Sequence, residues 1–239
     1  MTSVLTRAIL FTFLCLGVTA VSCAGGFFVG NPGHVVICFD QNADPSFFNG
    51  GDISAQGLHR LKSMDVLDFY LAKKWHPEKL SEARQSQICK MGPDEVYKTL
   101  LSAFSKLDAN FDGTTEACLQ MGKTDIGVND ELPFIDDKTS LLDLPKNCVL
   151  KQAIIRQGPH FYFSKPLLKR LSKSSCPSQT GILRVHELLF TYAVNSYGHE
   201  DGVLTRLLVA ALLAENTSEA RKIYTQFGPY KAPLCDGAM

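Results

Sequence analysis

The stretch "AQGLHRLKSMDVLDFYLAKKW", residues 55–75, decides how the chain is read. Leu58, Leu61, Met64, Leu67 and Leu71 recur at spacings of three and four, the period of a helix with one apolar face. Ser54, just ahead, is of a residue type that caps helix N-termini. The reading is one long amphipathic helix, and a mainly helical chain follows from it.

Further helices are expected after it. Pro77 opens "PEKLSEARQSQICK", and Pro93 opens "PDEVYKTLLSAFSKL" with Asp94 and Glu95 in the first turn, where the helix dipole favours acids. "NCVLKQAIIRQ" reads as a helix that stops at "GP", and Ser164 as a cap for "KPLLKRLSK". "ILRVHELLFTYAVNSY" and "VLTRLLVAALLAE" read as two core helices around the turn "GHEDG". Asn216 with Glu219 resembles a capping box before a last helix. Only "HVVICF", residues 34–39, suggests a strand. The expected fold is therefore mainly α with little strand. Residues 25–121 form an N-terminal helical region, the polar residues 122–146 a linker or long loop, and residues 147–239 a C-terminal helical region.

Composition limits the function. Lys+Arg and Asp+Glu are equal at 24 each, so no net charge points to nucleic acid. Arg7, the apolar "AILFTFLCLGVTAV" and the small residues "SCA" read as a signal peptide over residues 1–24. Its apolar part is short for a membrane span, and no later segment reads as one. Beyond it lie Cys38, Cys89, Cys118, Cys148, Cys176 and Cys235, without a CxxC pair. In a secreted, extracellular chain these read as three disulfides of undetermined pairing.

"DANFDG", residues 108–113, is the most specific chemical text. Calcium takes six to eight oxygen ligands, and a loop can supply them from alternate positions around a turn-forming glycine. Asp108, Asn110 and Asp112 stand at alternate places before Gly113, Thr114 offers a carbonyl, and Glu116 a direct or water-mediated contact. With the helix before it, "AFSKLDANFDGTTEACL" resembles an EF-hand. The resemblance implies a helix-loop-helix unit and bound calcium. Two positions depart from the family pattern: Thr115 at the aliphatic eighth place and Leu119 at the twelfth, where a bidentate Glu is usual. A weak, partly degenerate site is therefore expected.

Two further places resemble the motif less closely. Asp40, Asn42 and Asp44 share the alternate spacing and form a second candidate metal site. "NSYGHEDGVLTRLL" keeps Asp201, Gly202 and Leu204 in register but has Tyr197 and His199 at ligand places, and reads as a degenerate hairpin. No HExxH, GxSxG or GxxxxGK is present, so the chain reads as a non-enzyme without catalytic residues. Asn216-Thr217-Ser218 is a glycosylation sequon. The expected function is secreted calcium binding with a structural or interaction role, the partners being calcium and an extracellular protein. The alternative is a secreted, disulfide-bonded helical carrier of an apolar small molecule, a lipid or pigment.

Overall fold

The computed structural model describes residues 29–30, 33–40, 60–120, 124–130, 132–133, 135, 143–157 and 160–232. The signal-peptide reading lies outside these residues, as do Asn42, Asp44 and Cys235. In chain order the elements are β1 (Val29–Gly30), β2 (His34–Phe39), β3 (Leu61–Val66), α1 (Leu67–Trp75), α2 (Glu82–Lys90), α3 (Pro93–Ser105), α4 (Gly113–Gln120) and β4 (Thr124–Val128). There follow β5 (Cys148–Gln152), β6 (Ile154–Gln157), β7 (His160–Ser164), α5 (Lys165–Ser172), α6 (Gln179–Tyr197), α7 (Val203–Leu213) and α8 (Thr217–Tyr224).

The chain is mixed α and β, which corrects the mainly helical expectation. Among the described residues the strands form two sheets, β1-β6-β7-β4 and β3-β2-β5. Residues 55–75 do not make one helix: Leu61–Val66 is strand, and the helix starts only at Leu67. "NCVLKQAIIRQ" is likewise β5 and β6 rather than helix. The cause is tertiary. Strand β2 is buried along its whole length, and its backbone groups on both edges need partners that the core cannot otherwise supply. Residues 61–66 and 148–152 provide them, with Ile37 opposite Met64 on one side and Val149 on the other. That demand overrides the helical spacing of Leu61, Met64 and Leu67. Part of the expected linker, Thr124–Val128, is also strand and pairs in parallel with β7.

One antiparallel register runs through both sheets. Val29 opposes Gln157, Gly30 opposes Arg156, His34 opposes Gln152 and Cys38 opposes Cys148. The ladder changes sheet at Gly33 opposite Ala153. The Gly33 carbonyl accepts from the N–H groups of Ala153 and Ile154 at 2.8 and 3.1 Å. The Gly33 N–H instead donates to Glu187 Oε1 on α6, at 2.6 Å. A Cβ at Gly33 would stand 2.3 Å from Leu183 Cδ1, so the missing side chain lets α6 lie against the bend.

Disulfides secure both halves. Cys38–Cys148 joins opposed residues of β2 and β5 across a separation of 110 residues, a closure that contributes on the order of 4–5 kcal/mol in the chain-entropy model. Cys89–Cys176 ties the end of α2 to the approach to α6. Cys118 on α4 is also disulfide-bonded.

The helical layer centres on α6 and α7. Helix α7 reads "VLTRLLVAALL" and is buried over most of its circumference, as an all-round apolar helix must be. Helix α3 meets α6 where Gly181 faces Pro93, and a Cβ there would stand 2.0 Å from the Pro93 carbonyl oxygen. Gly181→Ala is therefore expected to cost about 1–3 kcal/mol, because the obstructing atom is backbone. Gly113→Ala, with open space around it, should be close to neutral. Chemical denaturation of the two variants checks the contrast, and equal losses would refute the close-approach explanation.

Candidate functional site

The "DANFDG" turn joins α3 to α4, and its carboxylates face in different directions. Asp108 is 1% exposed. Its Oδ2 accepts from the Tyr192 and Tyr197 hydroxyls at 2.7 and 2.8 Å, and its Oδ1 from the Asn110 N–H at 2.9 Å. Tyr197 also shares a 2.6 Å hydrogen bond with Tyr224. Asp112 is exposed and caps α4 by accepting from the Thr115 N–H at 2.8 Å. The helix thus starts at Gly113 and takes Thr114 into its first turn. Glu116 turns back toward α3, where its Oε1 accepts from the Tyr97 hydroxyl at 2.7 Å and from Gln120 at 3.1 Å. Leu119 is core, which gives the residue at the twelfth place a packing role. Among the described residues no group of three or more His, Cys, Asp or Glu side chains is placed to hold a metal ion.

The electrostatics of Asp108 follow from its donors. Burial pushes its carboxyl up, but the bonds from Tyr192, Asn110 and Tyr197 outweigh that and hold it below the usual carboxylate range. Burial first, and then the Asp108 bond, pushes the Tyr192 hydroxyl up, so it remains a donor.

The other predicted places are separate. Asp40 is exposed at the end of β2, where its N–H donates to the Arg60 carbonyl. His199 Nε2 meets the Phe227 carbonyl at 3.0 Å, and Asp201 accepts from the Val203 N–H at the start of α7. Asn216 is half-buried and caps α8 through the Glu219 N–H at 3.3 Å.

Sequence reasoning did not find the buried polar cluster under β2. His186 Nδ1 lies 2.7 Å from Asp68 Oδ1, and both side chains are 1% exposed. Burial opposes the His186 cation, but Asp68 outweighs it and the imidazole is raised above its ordinary value. His34, close by on β2, behaves oppositely. Burial, followed by the charges of Arg206 and His186, lowers it to about 3.

A cleft lies elsewhere among the described residues, between β3 and α5. Strands β4 and β7 run parallel with Val128 beside Ser164, so Asn129 and Lys165 emerge together at their C-terminal ends. Ligands of open α/β sheets often bind at such ends. A cleft of about 970 Å³ opens there. Lys62 from β3, and Lys165, Lys169, Arg170 and Lys173 from α5 and its C-cap, line it. The stem of Lys165 lies over Gly127, where a Cβ would stand 2.3 Å from its Cε. The acid in the wall, Asp65, is already bonded to Lys73 and Gln179. Among the described residues none of the five lining cations is in an ion pair.

A second cleft of about 490 Å³ lies between β7 and α6, with Tyr97, Phe161, Phe163, Leu168 and Leu188 in its wall. No family model, curated protein or solved structure matches the chain. In the sequence "KPLLKRLSK" reads only as a helix, although the four-residue spacing of Lys165, Lys169 and Lys173 is a signal that could have pointed to the first cleft. Its other wall had no such signal, because Lys62 fell within the supposed long helix.

Two outcomes test this geometry. Asp108→Ala leaves buried tyrosine hydroxyls without their acceptor and should cost about 2–4 kcal/mol, measured by denaturant unfolding with and without chelator; a loss that chelator abolishes would point to a bound ion instead. His34 has its ordinary value near 6.5 when unfolded and is lowered to about 3 in the fold. Below pH 6.5 the unfolded chain takes up the proton first, so stability falls as pH drops toward 3. His34→Gln should flatten part of that fall in Tm, and an unchanged profile would contradict the assignment.

Proposed function

We propose that this is an extracellular binding protein whose working surface is the basic cleft between β3 and α5, and whose ligand is a small or polymeric anion. The supporting observation is the concentration of five cations around one opening in a chain with no net charge. A cleft lined by one sign of charge focuses the field and attracts a ligand of opposite sign. The disulfides fit an oxidising compartment, and among the described residues no helix is long and apolar enough to cross a membrane. In this reading the chain is not an enzyme.

The "DANFDG" turn is, in the same proposal, a fold-building turn. Its carboxylates serve Tyr192, Tyr197, Tyr97 and the N-terminus of α4. Tm should then be unchanged between chelator and millimolar calcium. A calcium-dependent rise would return the turn to the role of an ion loop.

One observation favours a second reading, the carrier of an apolar molecule. The smaller cleft carries three aromatic and several aliphatic side chains in its wall, a composition common in small-molecule pockets. Purified protein should then retain an extractable apolar compound, visible by native mass spectrometry.

For the anion reading, pyrophosphate should raise Tm, and joint replacement of Lys165, Lys169 and Lys173 by alanine should remove the effect. That variant should stay folded without ligand, because the three side chains are exposed and the like-charge pairs it relieves, worth a few tenths of a kcal/mol each, roughly offset the dipole contribution it loses. An unchanged anion response would sink the assignment.

A further inference from the structure

The cations on α5 form a line. Lys165, Lys169 and Lys173 stand four residues apart and all reach the cleft. Residues at that spacing share one helix face, with a rise of about 6 Å per step and about 12 Å over the row. Lys62 on β3 stands in the facing wall, and Arg170 flanks the row.

Helix stability does not explain this row. Its sequence "KPLLKRLS" holds no acid to pair with the lysines, and like charges four apart repel. Lys165 occupies the first turn, the positive end of the helix dipole, where the helix has no acidic residue. Only Lys169, Arg170 and Lys173, near the C-terminus, gain from the dipole. A row of like charges on one face, with no acid in its own helix to pair with them, suits an anionic ligand outside the helix.

The wall chemistry narrows the ligand. Among the described residues no aromatic side chain lines the cleft, so they offer no stacking platform of the kind that single-stranded nucleic acids use. Four of the five cations are lysines, compact and strongly hydrated point charges, rather than the planar forks that pair bidentately with phosphate or carboxylate. Ser63, Ser175 and Asn129 add neutral hydrogen-bonding groups among the charges, suited to hydroxyls between anionic groups.

Building on the anion-cleft reading, we propose that the cleft binds a sulfated polysaccharide as an extended strand, with successive anionic groups along Lys165, Lys169 and Lys173. The row holds about three charges at a spacing near 6 Å, and Lys62 contacts the strand from the opposite side.

The experiment uses the mature chain and isothermal titration with four probes: inorganic pyrophosphate, a size series of heparin oligosaccharides, full-length heparin and a single-stranded DNA oligonucleotide of matched charge. Affinity for heparin oligosaccharides should rise with length and level off once the row is spanned. The slope of log K against log salt should fall by roughly 0.7–0.9 for each lysine removed. Lys169→Ala should weaken heparin binding about 3–10-fold, the loss of one charge-assisted contact. Lys98→Ala, an exposed lysine on α3, should leave binding unchanged. A melting curve confirms that each variant is folded. Pyrophosphate binding as tight as heparin, without length dependence, would overturn the strand proposal and leave the anion cleft standing. DNA binding equal to or tighter than heparin would overturn the sulfated-sugar assignment. Equal losses in the Lys98 and Lys169 variants would overturn the placement in this cleft. No binding of any probe would overturn both this proposal and the reading beneath it.

Discussion

The bend at Gly33 holds the two halves of the architecture in one register. Its carbonyl takes two N–H groups from the opposing strand, and its N–H turns out of the ladder to the Glu187 carboxylate. The strand pair can therefore belong to two sheets without losing alignment. It also brings α6 against the junction, where a Cβ at Gly33 would require the Leu183 side chain to move. From there the helix reaches α3 through Gly181, and the β3–α1 joint through Gln179, whose side chain accepts from the Val66 N–H at 2.5 Å and donates to Asp65.

Buried carboxylates act throughout as anchors between distant segments. Glu187 joins α6 to Gly33, Asp68 joins α1 to His186, and Asp108 joins the α3–α4 turn to Tyr192 and Tyr197. Each is costly to bury and repays that cost only with donors in place. This accounts for why a hexapeptide with calcium-loop spacing has its first carboxylate in the core. The basic cleft stands in contrast. Its lysines are exposed and lie where the ends of β4 and β7 meet a short helix, so they add charge to a surface that the buried network holds in position.

Part of this fold was legible in the residues. The apolar stretches of α6 and α7, the Pro93 start of α3 and the Asn216 cap of α8 are local signals, and each falls where the sequence places it. "HVVICF" is a strand as expected. Residues 61–66 and 148–157 were not legible. Their side-chain spacing suits either state, and the choice rests with partners elsewhere in the fold: the edges of β2 for residues 61–66 and 148–152, and strands β1 and β7 for residues 154–157. The lysine row was visible as a helix pattern, but its meaning depended on Lys62, which reaches the same cleft only because residues 61–66 are extended.

By itself the sequence determined the local chemistry: caps, turns, the helices with strong periodicity, and the cysteines available for cross-linking. Those features depend on neighbours within a few residues, so they are written where they act. The tertiary structure alone decided which apolar stretches became strand, which carboxylates faced the core and which cations shared a cleft. These outcomes depend on hydrogen-bonding demand and packing between segments as far apart as Cys38 and Cys148, separated by 110 residues. A buried backbone edge or carboxylate takes whatever partner the whole fold can bring to it.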